Sequence, residues 1–388
     1  MEKKRCLILF KWPIYLNEFI VKKISKFYDT KHIYMNSFEN KNYSQIIKEI
    51  NSFINREKIE VVFFDVDSIK FLNLFFIERI KNVKKVLMTF DDTSVHEMNA
   101  ITANACDLVV THCPFSVLKY REKGYEAHNM FLENDGEVFK NYNLKKDIDV
   151  LFFGRVNSNR RRFLDYLSDN KISVKIVGEN NNFLNTQELS KTISRSKIVI
   201  NFSKTTADFV TNYGSQNIYN FYYELKGRVI MAGLCGAYCL SEYSPGQNLL
   251  FQEDEIENFK SKEDCLKILN KLLSNEEILK SKTEKFSNKT LNLYEEKKNF
   301  EPIYNAIENG KFSKVKLIEI PYWYLRISAK QILKKNISLF KIMNSFSQLG
   351  EVWTIIKNSK FYFQILIILE SLINIVWYSL LSEIKKKK

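Results

Sequence analysis

Three consecutive arginines stand where the sequence predicts the start of a helix. The apolar run Asp149–Phe153 predicts a strand, Gly154 follows it, and Arg160, Arg161 and Arg162 open the next helical pattern. Cations at a helix N-terminus oppose the helix dipole, so this arrangement destabilises the helix unless an anion binds there. A bound phosphate would supply that compensation. The alternative is a basic face that contacts only solvent.

A second basic turn lies further along the chain, at Lys226–Arg228. It opens an otherwise apolar stretch, Val229–Leu240, that is interrupted by Gly233 and Gly236. Glycine in an apolar run indicates that the backbone lies close to a neighbouring element or to a ligand. No GxGxxG or Walker A motif follows any predicted strand, which argues against a dinucleotide-dependent oxidoreductase and against a P-loop NTPase.

Candidate proton-transfer groups follow predicted strands in the first half of the chain. Asp65 ends one of these strands, and Asp91, Asp92 and His96 follow another. Such groups can take a proton from a hydroxyl when they reach a bound substrate. An aspartate at this point can instead cap the following helix, and Asp92 fits that alternative. Trp12 lies on the first loop of this kind, where its ring could stack on a ligand.

Short apolar runs alternate with helical patterns, which predicts parallel sheets covered by helices on both faces. The predicted fold class is α/β, with two Rossmann-like doubly wound domains and a basic, amphipathic helical tail. We predict a first domain over residues 1–135, a linker over 136–147, a second domain over 148–307 and the tail over 308–388. Ligands of open α/β sheets bind at the carboxyl ends of the strands, so we expect a site in the cleft between the two domains.

The positive charge is concentrated in the tail. The chain has a formal net charge of +14, and residues 311–388 contain thirteen Lys and one Arg against four Glu, a net of +10. The rest of the chain carries only +4, without the interleaved basic and aromatic residues that are typical of nucleic-acid-binding surfaces. The sequence therefore argues against a nucleic-acid partner.

Two segments of the tail have the pattern of helices at a membrane surface. Residues 322–345 place an apolar stripe beside lysines, and Phe361–Leu381 is the most apolar stretch of the chain, followed by Lys385–Lys388. This pattern predicts peripheral contact with an anionic membrane surface through residues 311–388. A bilayer-spanning helix is the alternative, against which Glu370 argues. A further alternative is that the helices pack back on the domains or form a dimer contact.

Other features of the sequence indicate a cytoplasmic protein without a metal centre. The six scattered cysteines predict small buried side chains in a reducing compartment rather than disulfides. The apolar run Cys6–Phe10 is too short for a signal peptide and predicts a strand. No His or Cys spacing typical of a metal site occurs. We therefore expect a peripheral position at the inner face of the membrane.

Four stretches of the second half have the order and spacing of one known family. They are DVLFFGRVNSNRRRFLDYL at 149–167, KIVG at 175–178, SKIVINFS at 196–203 and LKGRVIMAGLCGAYCLSEYSPG at 225–246. Together they resemble the C-terminal domain of bacterial GT-B glycosyltransferases of the spore-maturation-protein-like (CgeB-like) group. The stretch at 106–127, CDLVVTHCPFSVLKYREKGYEA, resembles the matching acceptor-side domain more weakly.

The resemblance implies a metal-independent glycosyltransferase without a cofactor. It would move a sugar from a nucleotide-sugar donor to a hydroxyl of a surface glycan or a lipid-linked acceptor. The first domain would bind the acceptor, with Trp12 and Asp65 beside it and Asp91, Asp92 or His96 as the catalytic base. The donor-binding residues that the resemblance implies are Gly154, Arg155, Arg160, Gly178, Glu179, Lys226, Arg228, Gly236 and Glu242.

These donor-binding residues divide by expected role. Gly154 would let the backbone approach the phosphates, and Arg160 and Arg228 would neutralise the leaving diphosphate, a task that a divalent metal performs in other sugar transferases. The loop that carries Glu179 would contact the base, and Gly236 would keep the donor pocket open.

One position departs from the family pattern. The family motif runs Lys-Gly-Arg-x-Phe-Glu, and its Glu is expected to bind the donor ribose, but Met231 stands at that position here. Glu224 and Glu242 are the nearest carboxylates, and either could be a surface residue. The departure leaves open a non-catalytic binding or scaffold protein of the same fold. A polyol-phosphate transferase on the same scaffold would also suit the diphosphate-binding groups.

Overall fold

Two parallel β-sheets, one in each half of the chain, organise the computed structural model. The structure describes all residues except 1–2, 12, 15, 39–40, 67–71, 91, 180–182, 205–222, 311, 313–319, 338–344 and 387–388. Each sheet is flanked by helices, and all pairings within the two sheets are parallel. The predicted fold class of two doubly wound α/β domains is confirmed.

The first sheet has six strands in the order β2-β1-β3-β4-β5-β6. The inner strands β1, β3, β4 and β5 are mostly apolar because helices cover both faces of the sheet. The edge strand β2 has the polar sequence DTKHIY. The six strands are β1 (Arg5–Phe10), β2 (Asp29–Tyr34), β3 (Val61–Val66), β4 (Lys84–Thr89), β5 (Leu108–Thr111) and β6 (Ala127–Asn129). Its helices are α1 (Leu16–Ile24), α2 (Tyr43–Glu57), α3 (Leu74–Glu78), α4 (Asp92–Ala103) and α5 (Pro114–Glu122).

Helix α2 shows why the sequence pattern predicts these elements well. Its apolar stripe, Ile46, Ile47, Ile50 and Ile54, is buried in the first core, since residues three or four apart share one helix face. Asn42 and Gln45 form a capping box that satisfies backbone N–H groups at the helix start.

The second sheet has five strands in the order β11-β10-β9-β7-β8. They are β7 (Ile148–Phe153), β8 (Val174–Val177), β9 (Ser196–Asn201), β10 (Tyr238–Glu242) and β11 (Asn258–Phe259). Its helices are α6 (Ser158–Asp169), α7 (Thr186–Ser194), α8 (Gly227–Leu234), α9 (Pro245–Asn248), α10 (Lys262–Leu273) and α11 (Glu276–Lys297). The core of this domain includes both Met231 and the fully buried Cys235.

The helix at the predicted domain boundary, residue 307, packs on the first domain. Helix α12 (Glu301–Asn309) follows the second domain in the chain, but its side chains pack in the core of the first. Phe300, Ile303 and Ile307 are at most 2% exposed there, in one cluster with Val61 and Val86. The chain thus crosses back to the first domain at about Phe300, because the apolar face of α12 finds its partners on the first sheet.

A buried lysine ties α1 to the segment that connects the two domains. Lys23 is 7% exposed, and its Nζ donates hydrogen bonds to the carbonyl oxygens of Phe131 at 2.9 Å, of Leu132 at 3.1 Å and of Asn134. These carbonyls lie outside any strand or helix, so the lysine supplies the partners that a sheet would otherwise provide.

The tail forms three helices, α13 (Tyr322–Ile337), α14 (Ser345–Ile356) and α15 (Phe361–Lys386). The apolar stripe of α13 is buried in the first core, as in the alternative that the tail helices pack back on the domains. Residues 338–344 of the predicted helix over 322–345 lie outside the described residues. Tyr324 is fully buried, and its hydroxyl oxygen accepts a hydrogen bond from the Leu74 amide at 2.8 Å and lies 2.9 Å from the Thr102 hydroxyl. Within the described residues, no helix combines the length and apolarity needed to span a bilayer.

Candidate functional site

Two glycines line the carboxyl edge of the second sheet. Gly154 follows β7 with a φ of +121°, and Gly178 follows β8 with a φ of +97°. A β carbon on Gly178 would lie 2.7 Å from the Gly154 carbonyl oxygen, and one on Gly154 would lie 2.7 Å from Nη1 of Arg228. Any side chain at either position would be strained and would clash. The two glycines therefore let the Arg228 guanidinium and the Gly154 carbonyl lie directly against the backbone at this edge.

Arg228 is held at this edge by neutral acceptors. It lies in the first turn of α8, and its Nη1 donates to the Phe153 carbonyl at 2.8 Å. Nη2 donates to the Phe202 carbonyl at 3.2 Å, and Nε donates to Oδ1 of Asn201 at 3.2 Å. These partners fix the guanidinium at the ends of β7 and β9.

Arg160 brings a second guanidinium to the same place. Its Nη1 donates to the carbonyl of Arg155 at 2.8 Å. The guanidinium carbon lies 5.9 Å from the centroid of Phe152, and that of Arg228 lies 5.3 Å from the same ring. Two cations thus flank one aromatic side chain, a cation–π arrangement that positions both. The Arg155 side chain itself is exposed.

The other two arginines of the triplet have different partners. Arg161 pairs with Glu179 on the loop after β8 and lies 3.4 Å from Asp165, while Arg162 donates to Asn159. Glu179 therefore lies at the predicted loop, but its carboxylate is engaged by Arg161. Within the triplet, only Arg160 shares the Phe152 ring with Arg228.

A carboxylate also lies at this edge. Glu242 is the last residue of β10, and its Oε2 accepts the backbone N–H of Lys204 at 2.8 Å. Burial raises the pKa of Glu242, while the Lys204 amide and the charge of Arg160 act in the opposite direction. Glu242 ends β10, so it lies at the same carboxyl edge of the sheet as Gly154 and Gly178.

The start of α8 lies against residues from the end of the first domain. Asn134 Nδ2 donates to the Gly227 carbonyl at 3.1 Å, and a β carbon on Gly227 would lie 3.1 Å from Oε2 of Glu133. Lys226 is the N-cap residue, and its Nζ lies 2.7 Å from Oε2 of Glu224, whose side chain is only 3% exposed. Glu224 is thus buried, and it already balances the charge of Lys226.

Two expected features of the donor site are placed elsewhere. Gly236 lies at the turn between α8 and β10, at the amino edge of the sheet, where a β carbon would meet Asn141 at 2.6 Å. Gly236 allows Asn141 to pack against that turn. Gly233 likewise allows α8 to lie close to Thr290 of α11. Met231 is 5% exposed and belongs to the apolar core. Gly236 thus lies at the opposite edge of the sheet from Gly154 and Gly178.

The first domain holds a buried Asp92–His96 pair at the start of α4. Nδ1 of His96 donates to Oδ2 of Asp92 at 2.9 Å. Oδ1 accepts from Nδ2 of Asn99 at 2.8 Å and from the Tyr120 hydroxyl at 2.7 Å. Burial opposes ionisation of Asp92, but the charge of His96 and these hydrogen bonds hold its pKa below the usual range.

This pair sets the orientation of the imidazole. With Nδ1 donating to Asp92, the other ring nitrogen, Nε2, can act as a proton acceptor. Nε2 has no hydrogen-bond partner within the described part of the chain, and the His96 residue is 4% exposed. The ring centroid lies 4.6 Å from that of Tyr120.

The remaining predicted acceptor-side residues are only partly described. Asp65 ends β3 and is 8% exposed, and its Oδ2 lies 3.4 Å from the Lys11 backbone nitrogen, which donates to it. Trp12 and Asp91 lie outside the described residues. No cluster of His, Cys, Asp or Glu able to hold a metal ion occurs in the ranges that the structure describes.

Sequence reasoning missed several partners of the predicted residues. Asn99 follows Asp92 by seven positions on the same helix, a spacing that could have indicated a shared face. Tyr120, Glu133 and Asn134 carry no such signal, because they come from other elements. Phe152 lies between Arg160 and Arg228, but the sequence predicts it only as a buried strand residue.

The two-domain arrangement matches known proteins in fold. Residues 158–302 match the family model described as glycosyl transferase-like. Sucrose-phosphate synthase from Thermosynechococcus elongatus shares 9% identity over 79% of this chain and 98% of its own, with a TM-score of 0.54. The HepE protein of Anabaena, solved in complex with UDP-glucose, gives 10% identity, the same coverages and a TM-score of 0.54.

A third solved structure has the same architecture. The putative UDP-N-acetylglucosamine 2-epimerase from Listeria monocytogenes shares 10% identity over 81% of this chain and 100% of its own, with a TM-score of 0.50. Comparison with curated proteins gives no match. At such low identities the likeness shows the fold, which is the GT-B arrangement of two Rossmann-like domains.

Proposed function

We propose that the protein is a GT-B glycosyltransferase of the CgeB-like group. It transfers a sugar from a nucleotide-sugar donor to a hydroxyl of a surface glycan or lipid-linked acceptor, with no metal or cofactor. The observation that carries the proposal is the pair Arg160 and Arg228, whose guanidinium groups converge on Phe152 at the carboxyl edge of the second sheet. The match of residues 158–302 to the glycosyl transferase-like family supports it.

The donor diphosphate would bind at the start of α8. The first backbone N–H groups of α8 supply the positive end of the helix dipole, and Gly154 lets the Arg228 guanidinium lie close to the end of β7. As the bond between the sugar and the diphosphate breaks, negative charge grows on the leaving group. Arg160 and Arg228 would stabilise that charge because both are held in place before the reaction begins.

The acceptor hydroxyl would lose its proton to Nε2 of His96. Asp92 keeps the imidazole in the tautomer that leaves Nε2 as the acceptor, and its negative charge stabilises the imidazolium that forms. Because His96 is nearly buried in this conformation, acceptor binding must be accompanied by a rearrangement that uncovers Nε2.

Nucleotide binding tests the proposal directly. We would measure the thermal midpoint of the purified protein with UDP-, GDP-, CMP- and dTDP-sugars, since a ligand that binds only the folded state raises stability by mass action. One of these donors should raise the midpoint in wild type and in Arg162→Gln. Arg160→Gln and Arg228→Gln should lose the response.

Arg162 is a matched control because it stands in the same helix but bonds to Asn159. If no donor shifts the wild-type midpoint, or if all three variants respond alike, the donor-site proposal fails. Transfer to an acceptor is then measured with the donor that binds.

A second candidate is a non-catalytic protein of the same fold that binds a nucleotide-sugar. The buried, apolar Met231 favours it, because no carboxylate stands where the family places the ribose contact. A donor that binds but is neither transferred to any acceptor nor hydrolysed would support this second candidate over the enzyme.

A further inference from the structure

Helix α15 buries Ile367 in the first core and engages its polar residues within the tail, while one row of its apolar residues stays exposed. Glu370 Oε2 lies 2.6 Å from Nε of Arg326 on α13, and Gln364 donates to the carbonyl of Lys357 at 3.0 Å. Ser371 is 2% exposed and Asn374 donates to the Glu370 carbonyl at 2.8 Å. The polar half of the helix is thus engaged by its own tail.

The opposite half exposes a continuous row of large apolar side chains. Their spacing of three to four residues puts them on one helix face, and they are between 40% and 75% exposed. This outer face of α15 consists of Phe361, Tyr362, Ile365, Leu366, Leu369, Leu372 and Ile373. Trp353 on the neighbouring α14 is 46% exposed. An exposed apolar row of this length is unusual on a soluble protein and marks a contact surface.

The lysines at the two ends of the outer face favour an anionic bilayer, rather than a second copy of the chain, as the partner of this face. Lys357 and Lys360 are exposed just before the outer face begins, and Lys385–Lys388 follow it in the sequence. Pairing of two outer faces, in either orientation, would bring lysines of the two copies together and cost energy through repulsion. An anionic bilayer attracts both ends, and the aromatic residues near the start suit its interface.

We propose that the outer face of α15 docks on a bilayer surface that contains anionic lipids, with the helix lying in the plane of the interface. The inference deepens the lipid-linked acceptor named in the proposed function. The tail is fixed to the acceptor-side domain, because Tyr324 lies within hydrogen-bond distance of Thr102 on α4, the helix that begins at Asp92. Docking would therefore hold the Asp92–His96 pair at a set position relative to the membrane.

Flotation of the full-length protein with vesicles tests this. Vesicles of phosphatidylcholine mixed with phosphatidylglycerol are compared with phosphatidylcholine alone. We expect binding to the mixed vesicles, weaker binding to the neutral ones, and weakening by salt. The variant Ile365→Ser/Leu369→Ser/Ile373→Ser should lower the partition coefficient by at least about tenfold.

The matched control replaces three leucines of similar exposure on the domains. Leu118, Leu249 and Leu291 are 50%, 51% and 45% exposed, and the variant with serine at all three should bind as wild type does. Equal binding to neutral and mixed vesicles, or wild-type flotation of the α15 variant, would overturn the proposal. The proposal would also be overturned if wild type failed to float but formed a dimer, and the α15 variant were monomeric.

A second measurement does not depend on the triple variant. Brominated lipid in the mixed vesicles should quench tryptophan fluorescence of wild type more than that of Trp353→Phe, and equal quenching would count against docking. Neither assay involves a nucleotide, so the two proposals can fail separately. If the protein floats with vesicles but transfers no sugar, the membrane-docking proposal stands and the proposed activity fails.

Discussion

Gly154 and Arg228 lie so close together that the guanidinium leaves no room for a β carbon at position 154. A β carbon at residue 154 would stand 2.7 Å from Nη1 of Arg228, and the glycine has a φ of +121°. We expect Gly154→Ala to lower the free energy of unfolding by about 1–3 kcal/mol and to weaken donor binding by displacing the guanidinium. Chemical denaturation and donor titration measure the two effects.

The matched control is Gly350→Ala on α14. A β carbon there would meet nothing within 4 Å, so alanine should stabilise the helix by about 0.5–1 kcal/mol. A Gly154→Ala protein with unchanged stability and donor affinity would show that the close approach seen here is unimportant.

His96 provides the prediction on catalysis. Replacing it with Gln removes the proton acceptor, so we expect transfer to fall about 10²- to 10⁴-fold with donor affinity unchanged. Single-turnover transfer and donor titration separate the two quantities. His128→Gln is the control, because that histidine lies on β6 beside Glu126 and outside the Asp92 network. Equal rates for wild type and His96→Gln would exclude His96 as the base.

Asp92 predicts a dependence of stability on pH. Its pKa in the folded protein lies below the ordinary value of 3.8, so the ionised form stabilises the fold above about pH 4. That contribution is lost as the pH falls toward the folded-state pKa. Asp92→Asn should therefore be less stable than wild type at neutral pH, and the difference should shrink in acid.

Urea denaturation at several pH values between neutral and acid measures this. Asp165→Asn is the control, since that side chain is 54% exposed and its loss should change stability little at any pH. A constant gap between wild type and Asp92→Asn throughout acidification would contradict the linkage.

Lys23 is expected to hold the connection between the domains. Lys23→Met would leave the carbonyls of Phe131, Leu132 and Asn134 without this donor. We expect a loss of about 1–3 kcal/mol in the free energy of unfolding. Lys26→Met alters an exposed lysine that donates to none of these carbonyls, so this variant should have the stability of wild type. If the two variants had equal free energies of unfolding, Lys23 would not stabilise the connection between the domains.

Tyr324 tests the attachment of the tail to the first domain. Tyr324→Phe deletes the hydroxyl that meets the Leu74 amide and the Thr102 hydroxyl and should cost about 1–3 kcal/mol, because both groups remain buried. Tyr362→Phe removes a hydroxyl from a side chain that is 52% exposed and should have little effect. Protease protection of the tail would fall only in the first variant.

The sequence by itself determined the alternation of strands and helices and the two sheets. Continuous apolar strands and periodic helices are local patterns, and so the strand predicted at Asp149–Phe153 agrees with β7 at Ile148–Phe153. The three-residue β6 and the two-residue β11 were not predicted, since such short runs have no periodicity. The glycines after β7 and β8 were also recognisable, because they follow strand ends directly.

The tertiary structure alone decided which polar residues meet and which face of the tail is free. Arg160 and Arg161 are neighbours in the chain, yet one flanks Phe152 and the other pairs with Glu179. Gly236 resembles a ligand-binding glycine in sequence but packs at the opposite edge of the sheet. Helix α15 has one amphipathic pattern, and only the ion pair of Glu370 with Arg326 shows that its polar half faces inward. Such outcomes depend on partners distant in the chain, about which local periodicity contains no information.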